Sequence, residues 1–193
     1  EEYRGLLPLD ISRRIKLGIN YRGPLGEDSY GQNYGTSAWY PSGNGISVHS
    51  AQVNADLAQM ASDRILTLRT GLGYDGRLLM DESGNVTGYN QQFRDDVRTL
   101  LDLAQSNGVR VEFCLLDHII ARPGEDVSGV HIYGRDEVII DPAVRAAFIN
   151  DFLIPFLSEF GDHPALKAVD IFNEPGLADD YTGVTDMRQF IQD

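Results

Sequence analysis

The sequence predicts an α/β fold built on parallel strands. Two observations carry that prediction. Short apolar runs alternate with stretches of helical period along the 193 residues, strand then helix, three times over, then a fourth strand and the start of a helix. Each apolar run also leaves its strand through hydrogen-bonding or charged residues. Strict alternation implies parallel pairing with crossover helices.

The elements follow in order. Residues 1–14 read as a lead-in or linker. Ile15 to Asn20 is the first strand, and a Gly/Tyr/Asn-rich loop then runs to about Val48, too long for a plain connection. Ser50 can cap a helix whose Val53, Leu57, Met60 and Ala61 share a face. Ile65 to Arg69 is the second strand. Asn90 caps the next helix, Phe93, Val97, Leu100, Leu101 and Ala104 form its buried stripe, and Asn107-Gly108 stops it. Val109 to Leu116 is nearly all apolar and is expected to be buried on both faces. A loop is expected from Asp117 to about Ile140. Asp141-Pro142 then opens a helix with Val144, Phe148, Phe152, Phe156 and Leu157 inward, which Pro155 should kink or split. Leu166 to Phe172 is the fourth strand, and Thr185 to Gln192 a last helix.

Composition narrows the function. Sixteen basic against 29 acidic residues give a net charge of −13, which excludes a polyanion such as nucleic acid as the main ligand. No run approaches the ~20 apolar residues of a membrane-spanning helix. Cys114 is the lone cysteine, so neither an internal disulfide nor an all-cysteine metal site is available. Inside a strand it reads as a small hydrophobe.

The strand ends carry the chemistry. They are Asn20-Tyr21, Arg69, Asp117-His118 and Asn173-Glu174. In a parallel sheet these lie on one rim. A (β/α) barrel places its site across such a rim, whereas a doubly wound sheet binds mainly at one switch point. Four strands out of four favour the barrel. A turn former, a cap or a structural ion pair would explain any one of these residues alone; the joint pattern does not reduce to that. Glu174 sits at a rigid strand exit between Asn173 and Pro175. A carboxyl held there near low-dielectric walls is suited to donate a proton near neutral pH. Asn173 can donate to a substrate hydroxyl, and Arg69 can hold a neighbouring carboxylate charged and in place. Two carboxyls flanking a glycosidic bond is the arrangement of sugar cleavage. Tyr21, Tyr30, Tyr34, Trp39 and Tyr40 lie in or beside the first long loop, where aromatic faces can stack on sugar rings or pack the loop itself.

At Asn173-Glu174-Pro175 the sequence resembles the clan A glycoside hydrolases, especially glycoside hydrolase family 5, the cellulases and mannanases. The resemblance extends over Leu17-Gly18-Ile19-Asn20-Tyr21, Arg69, Asp75-Gly76-Arg77, Gly84-Asn85-Val86-Thr87-Gly88, Leu116-Asp117-His118, Gly134-Arg135-Asp136 and Phe160-Gly161-Asp162-His163-Pro164, and covers about Ile15 to Gly176. It implies a (β/α)8 TIM barrel, with the first four β/α units in residues 15–193. It also implies a retaining hydrolase of β-glycosidic bonds in a poly- or oligosaccharide. Glu174 would be the catalytic acid/base. Asn173, Arg69, His118, Tyr21 and Trp39 are the candidate substrate-binding residues. The family's nucleophile lies at the end of a seventh strand, and no residue here matches its motif. Truncation after the proton donor is therefore expected, as is pairing with a complementary half or with a second copy. The expected location is extracellular or cell-surface, and no cofactor is expected.

Rival readings are a non-catalytic carbohydrate-binding or structural barrel and a doubly wound nucleotide-binding enzyme. Gly71-Leu72-Gly73-Tyr74-Asp75-Gly76 matches G-x-G-x-x-G, but no helix is predicted to open at it. Arg77 to Thr87 reads instead as a hairpin-like loop. No metal is expected: Asp117, His118 and His131 are the nearest candidates, but neighbouring residues at a strand end should point apart.

Overall fold

The computed structural model describes residues 17–21, 45–72, 76, 79–81, 83–127 and 130–193. The lead-in 1–14, Trp39, Tyr30, Tyr34 and Tyr40 lie outside the described residues.

Four parallel strands form the sheet: β1 (Leu17–Asn20), β2 (Ile65–Gly71), β3 (Arg110–Asp117) and, later in the chain, β6 (Leu166–Asn173). Their order across the sheet is their order along the chain. No reversal of order occurs, so these strands contain no topological switch point of the doubly wound kind. A sheet that adds parallel strands in sequence is the opening half of a (β/α) barrel. The register sets Asn20 beside Arg69, Arg69 beside Glu112, and Asp117 beside Asn173.

Helices α1 (Ser50–Ser62) and α2 (Gln91–Asn107) make the first two crossovers. Asn90 caps α2 by accepting from the Phe93 amide at 2.8 Å, and Gly108 closes it in the left-handed conformation at φ 70°. The N-cap of α1 is His49 rather than Ser50, and its side chain makes no capping bond. This end is fixed instead by fully buried Asp96 of α2, which accepts from the Ser47 amide at 2.8 Å and hydroxyl at 2.6 Å. A Cβ at Gly45 would lie 2.6 Å from both Asp96 oxygens, so only glycine lets the turn approach.

The stretch after β3 departs from the expected loop. A 3-10 turn (His118–Ala121) leads to a small antiparallel hairpin, β4 (Glu125–Val127) with β5 (Val130–Ile132), and a one-turn helix α3 (Glu137–Ile140). Strands of three residues give no readable period, which is why the sequence conceals them. The buried Arg135 guanidinium donates to the carbonyls of Tyr133 and Asp81 and so ties this segment to the β2 loop. That loop is the hairpin-like turn expected: Met80 bridges Val86, and the Asp81 carboxylate accepts from the amides of Ser83 and Asn85.

The third crossover begins as α4 (Pro142–Ala147), widens into a π-helical stretch (Phe148–Leu153), and resumes as α5 (Ile154–Phe160). Pro155 has no N–H for the carbonyl one turn back, and the wider turn lies directly before it. The backbone stays right-handed across both junctions, at Phe148 and Ile154, so the chain changes helical pitch without breaking. Phe148, Phe152, Phe156 and Phe160 form one column with successive centroids 5.4, 5.6 and 5.2 Å apart. Phe113 of β3 meets Phe156 edge-on at 5.9 Å. Burying each ring stabilises the layer by ~1.5–3 kcal/mol.

After β6 the chain forms two helices where one was expected: α6 (Pro175–Thr182) and α7 (Val184–Gln192), divided by Gly183 at φ 86°. Among the described residues, β1 and β6 are the edge strands of the sheet. A cleft of about 490 Å³ beside β6 is lined by apolar groups that include Phe148, Val169, Ile171 and Phe190. No helix among the described residues is long and apolar enough to cross a membrane.

Candidate active site

The two faces of the sheet differ in chemistry. Phe113 packs on the helices, and by alternation Val111 and Leu115 share its side; all three are fully buried. The opposite face carries Arg69, Glu112, Lys167 and Asp170. Arg69 Nη2 donates to Asp170 Oδ2, and its Nε lies 3.7 Å from Glu112 Oε1. Glu112 also receives Lys167 Nζ at 3.2 Å. A cavity of about 330 Å³ opens on this face, lined by Asn20, Thr67, Arg69, Glu112 and Lys167 among others.

The network continues to the strand ends. Arg69 Nη2 donates to Asn173 Oδ1 at 3.0 Å. Asn173 Nδ2 donates to Asp117 Oδ2 at 2.6 Å. Asp117 Oδ1 accepts from the Ile119 amide at 3.1 Å and lies 2.8 Å from His118 Nδ1. Glu174 Oε2 is 3.4 Å from the same His118 nitrogen. His118 Nδ1 makes a hydrogen bond with neither carboxylate, so these are close contacts rather than hydrogen bonds.

Glu174 owes its place to its backbone. At φ 53°, ψ 52° it is left-handed, a conformation costing a non-glycine residue about 1–2 kcal/mol. It is the N-cap of α6, yet its side chain caps nothing. Pro175 begins the helix with no N–H to satisfy. The carboxylate is thus held off the helix end and beside His118. Its side chain is 56% exposed, so the described residues do not supply the apolar walls expected around it.

The structure brings Arg69, His118, Asn173 and Glu174 together at one rim. The ring of Tyr21 is buried, and its hydroxyl donates to Asp56 of α1 at 2.8 Å. Asp117 and His118 converge rather than point apart, because β3 ends at Asp117 and the chain turns at His118. Donor atoms of Asp117, His118 and Glu174 lie within 4.8 Å of one another, a set able to hold a metal ion. His131 is not in that set; it pairs with Asp126 at 3.0 Å on the hairpin. Cys114 is buried beneath the site, and burial pushes its thiol up to about 12. The sequence reading missed Asp170, Glu112 and Lys167. The available signal was a charge inside otherwise apolar strands, which becomes meaningful only once the register sets those strands beside Arg69.

No protein-family model matches the sequence, and no curated protein does. Solved structures match by fold. The β-mannanase of the blue mussel Mytilus edulis matches with a TM-score of 0.64 at 21% identity, over 83% of this chain and 41% of its own. The β-1,4-mannanase of the sea hare Aplysia kurodai gives 0.62 at 23%, over 83% and 42%. The β-1,4-D-mannanase of Cryptopygus antarcticus gives 0.62 at 20%, over 83% and 40%. The chain spans about two fifths of the length of these enzymes. Its fold is that of the N-terminal half of a (β/α) barrel like theirs, in keeping with the resemblance to glycoside hydrolase family 5.

Proposed function

We propose that this chain carries the acid/base half of a retaining glycoside hydrolase that cleaves β-glycosidic bonds in a poly- or oligosaccharide. The observation that carries the reading is the meeting of Arg69, Asn173, His118 and Glu174 on one rim of a half-barrel. The mannanase activity of the similar solved structures supports a β-linked, mannan-like substrate. Glu174 protonates the leaving oxygen and then takes the proton of the attacking water. Asn173 holds a sugar hydroxyl. Arg69 supports the charge and place of the nucleophile, a second carboxylate supplied by strands beyond β6.

The free edge of β6 is where those strands pair, and the apolar cleft beside it receives their helix. In the 193-residue chain alone a second copy covers these edges, and small-angle scattering of a monodisperse monomer would contradict that. A polymeric substrate goes with a location outside the cell or on its surface. Glu174→Gln in the complete barrel is expected to lower cleavage of unactivated β-glycosides by about 10²–10⁴-fold while leaving binding intact. Unchanged release of reducing ends would remove Glu174 from the role.

A further inference from the structure

We propose that Asp117 is a positioning residue of this site: it fixes which way the Asn173 amide faces and where His118 sits. The inference rests on the hydrolase reading for its catalytic consequence, but not for its geometry. Asp117 is a buried carboxylate, 7% exposed, at the end of the strand next to β6. Its two oxygens face three groups: the Asn173 amide nitrogen, the Ile119 amide and the His118 ring.

The amide of Asn173 is read from both ends. Its oxygen accepts from Arg69, a group that can only donate, and its nitrogen donates to Asp117, which as a carboxylate can only accept. Reversing the amide would set N–H against guanidinium and oxygen against carboxylate, so a single orientation survives. One Nδ2 proton is used on Asp117, and the second remains for a ligand hydroxyl. Asp117 thus acts through Asn173, touching neither the sugar nor the reacting atoms. The same carboxylate lies 2.8 Å from His118 Nδ1, which in turn is 3.4 Å from Glu174, so the ring is packed between Asp117 and the acid/base.

Asp117→Asn is nearly isosteric but offers one acceptor oxygen in place of two. Either the Ile119 amide or the Asn173 amide then loses its partner. The Asn173 side-chain amide resonances, assigned by NMR, are expected to move in this variant. In the complete barrel, kcat on a β-mannan or β-glucan should fall by up to about 10²-fold with KM little changed. Should Asp117→Asn fold poorly, the exchange Asp117→Asn with Asn173→Asp restores a hydrogen bond of reversed direction. Its thermal midpoint should recover while turnover stays low. Unmoved Asn173 amide signals, or an unchanged kcat in a folded Asp117→Asn protein, would overturn the proposal. If no β-glycan is cleaved by the parent protein but the amide signals move, the hydrolase reading falls and the Asp117 tether stands.

Discussion

The helix-facing side of the sheet and its opposite face are built on different terms. The first is a dry layer in which Val111, Phe113 and Leu115 meet the phenylalanine column of the third crossover. The second sets Arg69 and Lys167 against Glu112 and Asp170, with side chains 26–42% exposed. Apolar burial holds the strands in register. The charged face draws little stability from ion pairs so open to water, and what it gains is placement of Arg69 beneath the strand ends. One face makes the fold and the other aims the site.

Substitutions on the two faces should therefore separate stability from turnover. Phe156→Ala removes the ring that bridges Phe113, Phe152 and Phe160, and is expected to cost about 3–5 kcal/mol in denaturant unfolding. A cost under about 1 kcal/mol would mean that the column is not the core. Asp96→Ala, on the helix side, leaves the Ser47 amide and hydroxyl without their acceptor. About 2 kcal/mol is expected to be lost in the same assay. Asp170→Asn, on the charged face, should shift stability by less than about 1 kcal/mol. It should nonetheless lower turnover of the complete barrel by about tenfold or more, because Arg69 loses the carboxylate that holds its Nη2. A large loss of stability with normal turnover would reverse the assignment of the two faces. The smallest effect concerns Cys114. With its thiol held near 12, against an ordinary value near 9, the folded chain keeps a proton there that the unfolded chain releases. Stability is unaffected by this thiol below about pH 9 and declines between about 9 and 12. Iodoacetamide at pH 8 should label Cys114 only on unfolding, and rapid labelling of the folded protein would contradict its burial.

The sequence shows these faces unequally. Local chemistry is legible: the Asn90 cap, the Asn107-Gly108 stop and the Asp141-Pro142 start all fall where the residues require, with Asp141 accepting from the Ala143 amide. The rim was legible too, since Arg69, His118, Asn173 and Glu174 each follow an apolar run. Asp170 was not, because it lies within such a run and gains meaning only from its contact with Arg69, 101 residues away. Nor was the left-handed Glu174. Its neighbour Pro175 forecasts a helix start, but nothing in a single sequence forecasts a strained cap whose carboxylate is held away from its own helix. Tyr21 was legible as a strand-end aromatic, but not the bond its hydroxyl donates to Asp56, 35 residues away on α1.

The central claim is that Glu174 is the acid/base of a retaining site. Its most direct test is Glu174→Ala in the complete barrel, assayed on a β-glycoside with a good leaving group, with and without azide. Such a substrate forms the glycosyl-enzyme without an acid, and azide attacks that intermediate without a base. The account predicts slow turnover that azide accelerates, with a β-glycosyl azide as product. No acceleration, or an azide of inverted configuration, would contradict it.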